Sequence, residues 1–270
     1  MQRIELLAPA GDLEKLKIAI EYGADAVYFG GQMFSLRAGA GGFTKEDMID
    51  GLEFAHERGK KCYMTLNIFA HNEDIQPLTE YLHSIKGLPI DAFLISDPGI
   101  MAIIKDIIPN AEIHLSTQAN MTNYATANFW YNMGLKRLVL ARELSLAEIK
   151  ELMKNIPEEL EIEAFVHGAM CISYSGRCLL SNFMADRDSN RGRCAHPCRW
   201  KYALQEEKRP GEYYPIEEDE RGTYIMNSKD LCMIEHIEDL AGVNIASAKI
   251  EGRNKSIFYL AIVIGAYRRA

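Results

Sequence analysis

Short apolar runs alternate along the chain with longer segments in which apolar residues recur every three to four positions, a pattern typical of strands followed by helices. The first run covers residues 4–10, and Leu13, Leu16, Ala19 and Ile20 follow it at helical spacing. The same alternation predicts further strands at 24–30, 61–67, 91–96, 112–117, 136–141, 160–166 and 245–250. Helices are predicted at 12–22, 74–86, 98–107, 122–133, 146–154, 229–240 and 255–269, with another beginning after Thr44.

Helix starts are marked by residues that cap free backbone N–H groups. Thr44 with Asp47, and Ser145 with Glu148, have the spacing of a capping box, in which each side chain accepts a bond from the other residue's backbone. Asn227 or Ser228 is predicted to cap the helix at 229–240, since both residue types are favoured at that position.

The strand–helix units predict the fold class. Strands that are short, apolar and separated by helices are typical of a parallel sheet covered by helices. Eight such units within 270 residues match a closed (β/α)8 TIM-type barrel, with an open doubly wound sheet as the alternative. We expect one domain over 1–270, with a long insertion at about 168–228 after the seventh strand. Loops in this position usually have about two to six residues, so the insertion indicates function.

Polar residues follow most of the predicted strands. Active sites of a TIM-type barrel lie where the strands end and the next loops begin, so these residues are candidates for the site. Those predicted to bind substrate are Arg37, Asn67, Gln118, Arg142, His167, Lys249 and Arg253. His167, Arg142 and Lys249 are also the candidates for catalysis. The cations among them would form a patch for a carboxylate or phosphate, although each cation alone is more often an ion-pair partner.

The predicted insertion contains four of the six cysteines of the chain. Cys171, Cys178, Cys194 and Cys198 have the spacing C-x6-C-x15-C-x3-C. Four thiolates can hold a [4Fe–4S] cluster or a structural zinc ion. Zinc sites usually offer pairs of closely spaced cysteines, and only the last pair comes close to that pattern. The spacing therefore favours the cluster, with zinc, two disulfides or unliganded cysteines as the alternatives.

Arginines lie close in sequence to the four cysteines, whereas the other two cysteines lie elsewhere in the chain. Five arginines could balance the negative charge of a thiolate-bound cluster, which is costly to bury unpaired. They are Arg177, Arg187, Arg191, Arg193 and Arg199. Cys62 lies in an apolar strand and Cys232 on an apolar helix face, where we expect both to pack as small hydrophobic side chains.

The overall charge is acidic. Thirty Lys and Arg against thirty-eight Asp and Glu give a net charge of −8, with a pI near 5.5. This balance argues against a nucleic-acid-binding module that relies on bulk positive charge. No apolar run approaches the ~18–20 residues that span a bilayer, and no secretory signal is visible. We therefore expect a cytoplasmic protein without a membrane partner.

Several motifs resemble a known family. Residues 163–181, EAFVHGAMCISYSGRCLLS, closely resemble the signature of the peptidase U32 family. Shorter similar segments lie at 7–11, 23–28, 96–99 and 116–120. Segments 209–213, 222–230 and 249–253 resemble the branch of this family that hydroxylates tRNA. The resemblance covers essentially the whole chain.

The resemblance carries expectations about fold, cofactor and activity. It implies a barrel-like fold with a [4Fe–4S] cluster on Cys171, Cys178, Cys194 and Cys198. It also implies formation of 5-hydroxyuridine at the wobble position of tRNA, with prephenate as the hydroxyl source. The older family label, collagenase-like peptidase, gives one alternative, and a non-catalytic cluster-binding accessory protein gives another. Members of this branch continue into a smaller C-terminal domain, which we expect to be absent from a chain that stops at Ala270.

Overall fold

Eight parallel strands close into a barrel, which confirms the predicted TIM-type fold. The computed structural model describes residues 3–36, 42–171, 173–174, 177–200, 203–215, 218–219, 222–223 and 230–270. The last barrel strand pairs with both the seventh and the first, so the sheet is closed and not open. The strands are β1 (Glu5–Ala10), β2 (Ala26–Phe29), β3 (Lys61–Leu66), β4 (Ala92–Ile95), β5 (Ile113–Leu115), β6 (Arg137–Val139), β7 (Glu161–Gly168) and β8 (Ser247–Ile250).

Helices follow the strands and cover the outside of the barrel. The capping boxes predicted at Thr44 and Ser145 are both formed. None of the helices in the described ranges is both long and apolar enough to cross a membrane. The helices are α1 (Leu13–Glu21), α2 (Lys45–His56), α3 (Asn72–Ile85), α4 (Pro98–Ile107), α5 (Tyr124–Asn132), α6 (Leu146–Met153), α7 (Leu180–Ala185), α8 (Ile237–Gly242) and α9 (Ile257–Arg269).

The strands separate two regions of packing. Side chains such as Leu6 and Met64 pack with the helices in the main core. Their neighbours Leu7 and Tyr63 belong to a second cluster inside the barrel, as expected when successive side chains of a strand point to opposite faces. The inside of the barrel also holds charged side chains, and these connect it to the site at its mouth.

The chain between β7 and β8 is much longer than the other connections. Its first part contains α7 and two short turns, Ser189–Arg191 and Pro197–Arg199. Farther along, Ala203–Leu204 pairs with Tyr214–Pro215 in an antiparallel ladder. The insertion begins at 169, because β7 extends to Gly168.

The end of the insertion differs from the sequence prediction. The predicted helix at 229–240 is wrong over its first half, where Leu231–Cys232 forms a short strand on β7, and α8 begins only at Ile237. Since β6 is only three residues long, it leaves the last residues of β7 free to pair with another segment. Cys232 is exposed in this strand, so its predicted burial is also wrong. The predicted caps, Asn227 and Ser228, lie outside the described residues.

An ion pair ties the insertion to the outer helices. Arg191 makes two hydrogen bonds to Asp74 at the start of α3, of 2.7 and 2.9 Å, and a third of 3.3 Å to Glu73. Next to it, the Phe69 N–H donates to the Asn190 carbonyl at 3.1 Å. Two-pronged arginine–carboxylate bonds fix geometry as well as charge. This contact therefore holds the cysteine-bearing segment against the barrel.

We predict that Arg191→Ala loosens the insertion locally without unfolding the barrel. Loss of a partly exposed ion pair of about 1 kcal/mol should speed amide exchange over 189–194 about fivefold. Hydrogen exchange read by mass spectrometry measures this effect. The matched control is Lys154→Ala, which removes an exposed pair with Glu151 on the far helix α6. Equal exchange in the two variants would show that the ion pair does not hold the segment.

The same contact should respond to acid. The hydrogen bond from Arg191 is the main reason that the pKa of Asp74 lies below its usual value. A lowered pKa contributes stability that is complete above the usual pKa and is lost as the pH falls through the lowered one. Exchange over 189–194 should therefore speed up below about pH 4 in the unaltered protein, beyond the intrinsic effect of pH, and Arg191→Ala should abolish that increase.

Candidate functional site

The four crowded cysteines line one cavity above the mouth of the barrel. Cys171, Cys178, Cys194 and Cys198 are free thiols around a space of about 340 Å³. The wall is completed by residues at the ends of β7 and β8 and by the insertion. The structure thus brings the four predicted ligands together and does not pair them in disulfides.

Local bonds in the insertion explain why distant cysteines meet. The Cys178 N–H donates to Asn190 Oδ1 at 3.1 Å, and its carbonyl accepts a 2.6 Å bond from Ser189 Oγ. The Ala195 N–H, next to Cys194, donates to Ser181 Oγ at 2.9 Å. These short-range polar contacts fold residues 178–195 into a compact loop.

Gly192 lets this loop approach the barrel. Its φ of +86° lies in the region that favours glycine, and an added Cβ would come within 2.7 Å of the Ser35 carbonyl oxygen. A larger residue at this position would push Cys194 away from the other three cysteines.

Polar contacts prepare one cysteine to carry negative charge. Burial raises the pKa of Cys178, but hydrogen bonds from the Ser173 hydroxyl and from the backbone of Ser181 and Leu180 outweigh it and lower the pKa. The pKa of Cys171 is raised, first by burial and also by the neighbouring cysteines Cys178 and Cys198. Thiolates in this cavity therefore require nearby positive charge, and Arg142, Arg199 and Lys255 line the same wall.

The donor set matches a four-thiolate group in number. Four free cysteines line one open cavity, and a [4Fe–4S] cluster takes four thiolate ligands. A structural zinc ion also takes four such ligands, at about 2.3 Å from each sulfur.

A second, smaller cavity lies in the barrel mouth and shares a wall with the first. It measures about 60 Å³, and both cavities are lined by Leu36, Gln118, Arg142 and Glu251. Five of the predicted substrate-binding residues line it, namely Asn67, Gln118, Arg142, Lys249 and Arg253. These five residues are far apart in the sequence, and the prediction that polar residues at strand ends lie together holds for them. Arg37 lies outside the described residues.

Hydrogen bonds hold these side chains in fixed positions. Arg253 donates to Ser35 Oγ at 2.7 Å and to Thr65 Oγ1 at 3.0 Å. Asn67 Nδ2 donates to Gln118 Oε1 at 3.2 Å. Arg142 donates to the Ala169 carbonyl at 2.7 Å, beside the cysteine cavity. The mouth therefore presents guanidinium and amide groups that are already oriented.

Below the mouth, a row of paired charges fills the barrel. Lys249 Nζ donates to Glu163 Oε1 at 2.7 Å, and both side chains are buried. Arg137 lies 3.5 Å from the other Glu163 oxygen and donates to Glu5 at the bottom of the barrel. Burial acts to raise the pKa of Glu163, but Lys249 and Arg137 outweigh it and lower the pKa. Burial also lowers the pKa of Lys249.

Sequence reasoning missed most of this row. Glu163, Arg137 and Glu5 lie in strands identified by their apolar residues, and their partners are distant in the chain. The sequence did contain a signal for this row of charges. Glu161 and Glu163 lie two positions apart in β7 and therefore on one face of the strand, where buried acidic residues require cations.

His167 lies outside both cavities. Its Nδ1 is 3.3 Å from the Tyr267 hydroxyl, and its ring packs against Tyr259 and Tyr267 of α9. The pairing of β7 with β8 shifts register between Lys249 and Ile250, next to His167, and such irregularities redirect side chains. The structure therefore does not support the predicted contact of His167 with substrate.

Fold and site together define a TIM-type barrel with a four-cysteine insertion over a cationic mouth. The sequence profile of Peptidase family U32 matches residues 11–270, and the chain belongs to that family. This confirms the family resemblance of the sequence motifs.

Curated relatives cover nearly all of this chain. It is 48% identical over 98% of its length to tRNA hydroxylation protein P1 of Bacillus subtilis, and it spans 62% of that protein. It is 42% identical over its whole length to tRNA hydroxylation protein P of Escherichia coli, and it spans 68% of that protein. The chain thus covers about two thirds of each relative.

A solved structure supports the fold alone. The U32 peptidase Mk0906 has a TM-score of 0.57 and 11% sequence identity, with 93% of this chain and 94% of that chain covered.

We predict that the cysteine cavity binds iron and sulfide. Anaerobic reconstitution should give broad visible absorption and about four irons per chain. Cys178→Ser should lose most of this iron, because it removes one of the four ligands. Cys232→Ser is the matched control, since this exposed cysteine lies outside the cavity, and it should bind iron normally. Zinc binding without any iron uptake would contradict the cluster.

We predict that the buried Lys249–Glu163 pair is strongly coupled. Lys249→Met leaves Glu163 buried with one cation fewer, and it should cost about 3–5 kcal/mol of unfolding free energy in urea. Adding Glu163→Gln should restore part of this loss, because the uncompensated charge is removed. Lys154→Met, in an exposed pair, is the control and should cost less than about 1 kcal/mol. Additive effects of the two buried substitutions would contradict the pairing.

Proposed function

We propose that this chain hydroxylates the wobble uridine of tRNA to 5-hydroxyuridine, with a [4Fe–4S] cluster on Cys171, Cys178, Cys194 and Cys198 and with prephenate as the hydroxyl source. The observation that carries the proposal is the shared wall between the cysteine cavity and the cationic barrel mouth. Further support comes from the relatives named for tRNA hydroxylation. The proposed reaction needs a cofactor and an anionic cosubstrate next to each other. The two adjacent cavities offer a place for each.

The barrel mouth suits the carboxylate of a small acid. Arg142 and Arg253 carry fixed guanidinium groups on its wall, and such forks bind carboxylates with two bonds. A cavity of about 60 Å³ has room for a carboxylate and not for a whole ring-bearing acid. The ring of prephenate would therefore extend past Gln118 into the larger cavity, toward the cysteines.

The larger cavity suits the base and the cofactor. A bound cluster would supply redox or Lewis-acid chemistry next to the substrate. Arg142 and Arg199 would offset the negative charge of the thiolates, and the hydrogen bonds around Cys178 favour its thiolate form. Lys249 lines the mouth as an ammonium paired with Glu163, where it adds positive charge for an anionic cosubstrate.

Nucleoside analysis of tRNA tests this proposal. Cells that lack this protein and any redundant relative should lose 5-hydroxyuridine and nucleosides made from it. The unaltered gene and Cys232→Ser should restore them, whereas Cys171→Ser should not, because it removes a ligand. Unchanged 5-hydroxyuridine in the deletion strain would overturn the proposal.

Two further measurements separate the alternatives. An accessory protein would keep supporting modification when Arg142→Met alters the mouth, provided that the variant still binds iron. A peptidase would cleave gelatin, and cleavage that survives Cys171→Ser would favour that activity. On our proposal, Arg142→Met reduces 5-hydroxyuridine at least tenfold and no gelatin is cleaved.

A further inference from the structure

The insertion carries exposed apolar side chains close in sequence to the cysteines that line the cavity. Phe183 of α7 is 89% exposed, Leu179 is 76% exposed and Trp200 is 46% exposed. Leu179 directly follows Cys178, and Trp200 directly follows the turn that carries Cys198. This turn packs against α7. Apolar side chains grouped beside a site and open to water indicate a surface that meets a partner.

Positive charge is concentrated on the same segment. Residues 177–200 contain five arginines and two aspartates, a balance of +3 within a chain whose net charge is −8. Arg191 and Arg199 form ion pairs with Asp74 and Asp230.

The other three arginines are exposed and have no carboxylate within ion-pair distance in the described part of the chain. They are Arg177, Arg187 and Arg193. We refer to Arg177, Leu179, Phe183, Arg187, Arg193 and Trp200 as the insertion rim.

Aromatic and guanidinium groups in alternation match the chemistry of unpaired RNA. Bases in a loop stack on aromatic side chains or on arginine planes, and arginines also bind the phosphates. The apolar residues of the rim would favour a protein partner, but its three arginines, which form no ion pair within the described residues, favour an anionic one. Duplex RNA would be favoured by the arginines but leaves no base faces free for Phe183 and Trp200.

We propose that the insertion rim binds the unpaired loop nucleotides that flank the target uridine. The identity of this RNA as tRNA rests on the proposed function, whereas the preference for single strands rests on the rim itself. Arg177 connects the rim to the site, because its Nε donates at 3.2 Å to the carbonyl of Gln118, a residue that lines both cavities. A loop held on the rim would present one base to the cysteine cavity.

Binding of a labelled RNA tests the rim. The probe is a fluorescein-labelled stem–loop RNA with the anticodon-loop sequence and a uridine at the wobble position, measured by fluorescence anisotropy. Phe183→Ala should weaken binding about tenfold through lost stacking. Arg193→Gln should reduce the slope of log affinity against log salt by about 0.7, as for one phosphate contact to a single strand. A fully paired RNA of equal length should show no effect of Phe183→Ala.

Exposed residues away from the cavity give matched controls. Phe129→Ala on α5 and Arg269→Gln in the last turn of α9 should leave binding unchanged. If Phe183→Ala and Arg193→Gln bind like these controls, the proposal is overturned. It is also overturned if Phe183→Ala keeps full RNA affinity but loses a co-purifying polypeptide, which would assign the rim to a protein.

The outcomes separate this proposal from the proposed function. If tRNA modification depends on the chain but rim variants bind the stem–loop normally, the rim proposal fails and the function stands. If modification persists without the chain but rim variants lose RNA affinity, the function fails and the rim stands.

Discussion

Glu163 is a carboxylate buried inside the barrel, and its charge constrains the neighbouring strands and the mouth of the barrel. An unpaired charge in such a position costs several kcal/mol, so the strands on either side must supply cations. Arg137 comes from β6 and Lys249 from β8, the two strands that flank β7. Their pairing with Glu163 fixes the relative positions of these strands and places the Lys249 ammonium at the floor of the mouth.

This arrangement also explains how the two cavities come to lie side by side. The insertion leaves the barrel at the end of β7, the same strand that carries Glu163. The cysteines therefore begin within a few residues of the paired charges, and Arg142, held by the Ala169 carbonyl, lies between the two cavities. The salt bridge from Arg191 to α3 and the close approach of Gly192 to Ser35 then fold the insertion back over the mouth.

Features that depend on local sequence were predictable. Alternating apolar runs predicted the strands and helices of the barrel, and capping boxes predicted two helix starts. The strand ends indicated five residues that line the mouth. Each of these features depends on a few neighbouring residues. Features that depend on pairing between distant segments were not. The short strand at Leu231–Cys232 forms on an edge left by β6, and His167 is redirected by a shift of register between β7 and β8. Glu163 was overlooked because its partners lie 26 residues before it and 86 residues after it.

The acidic net charge shows how a whole-chain average conceals a local surface. Charges separated by more than about 8–10 Å are largely screened at physiological salt, so an RNA loop responds to the charges beside it. Many exposed carboxylates, such as Glu14, Glu21, Glu46 and Glu53, lie on the outer helices α1 and α2. Arg177, Arg187 and Arg193, which form no ion pair within the described residues, lie instead on the cysteine-bearing insertion. A net charge of −8 is therefore compatible with the proposed RNA substrate, because the cysteine-bearing insertion is locally positive.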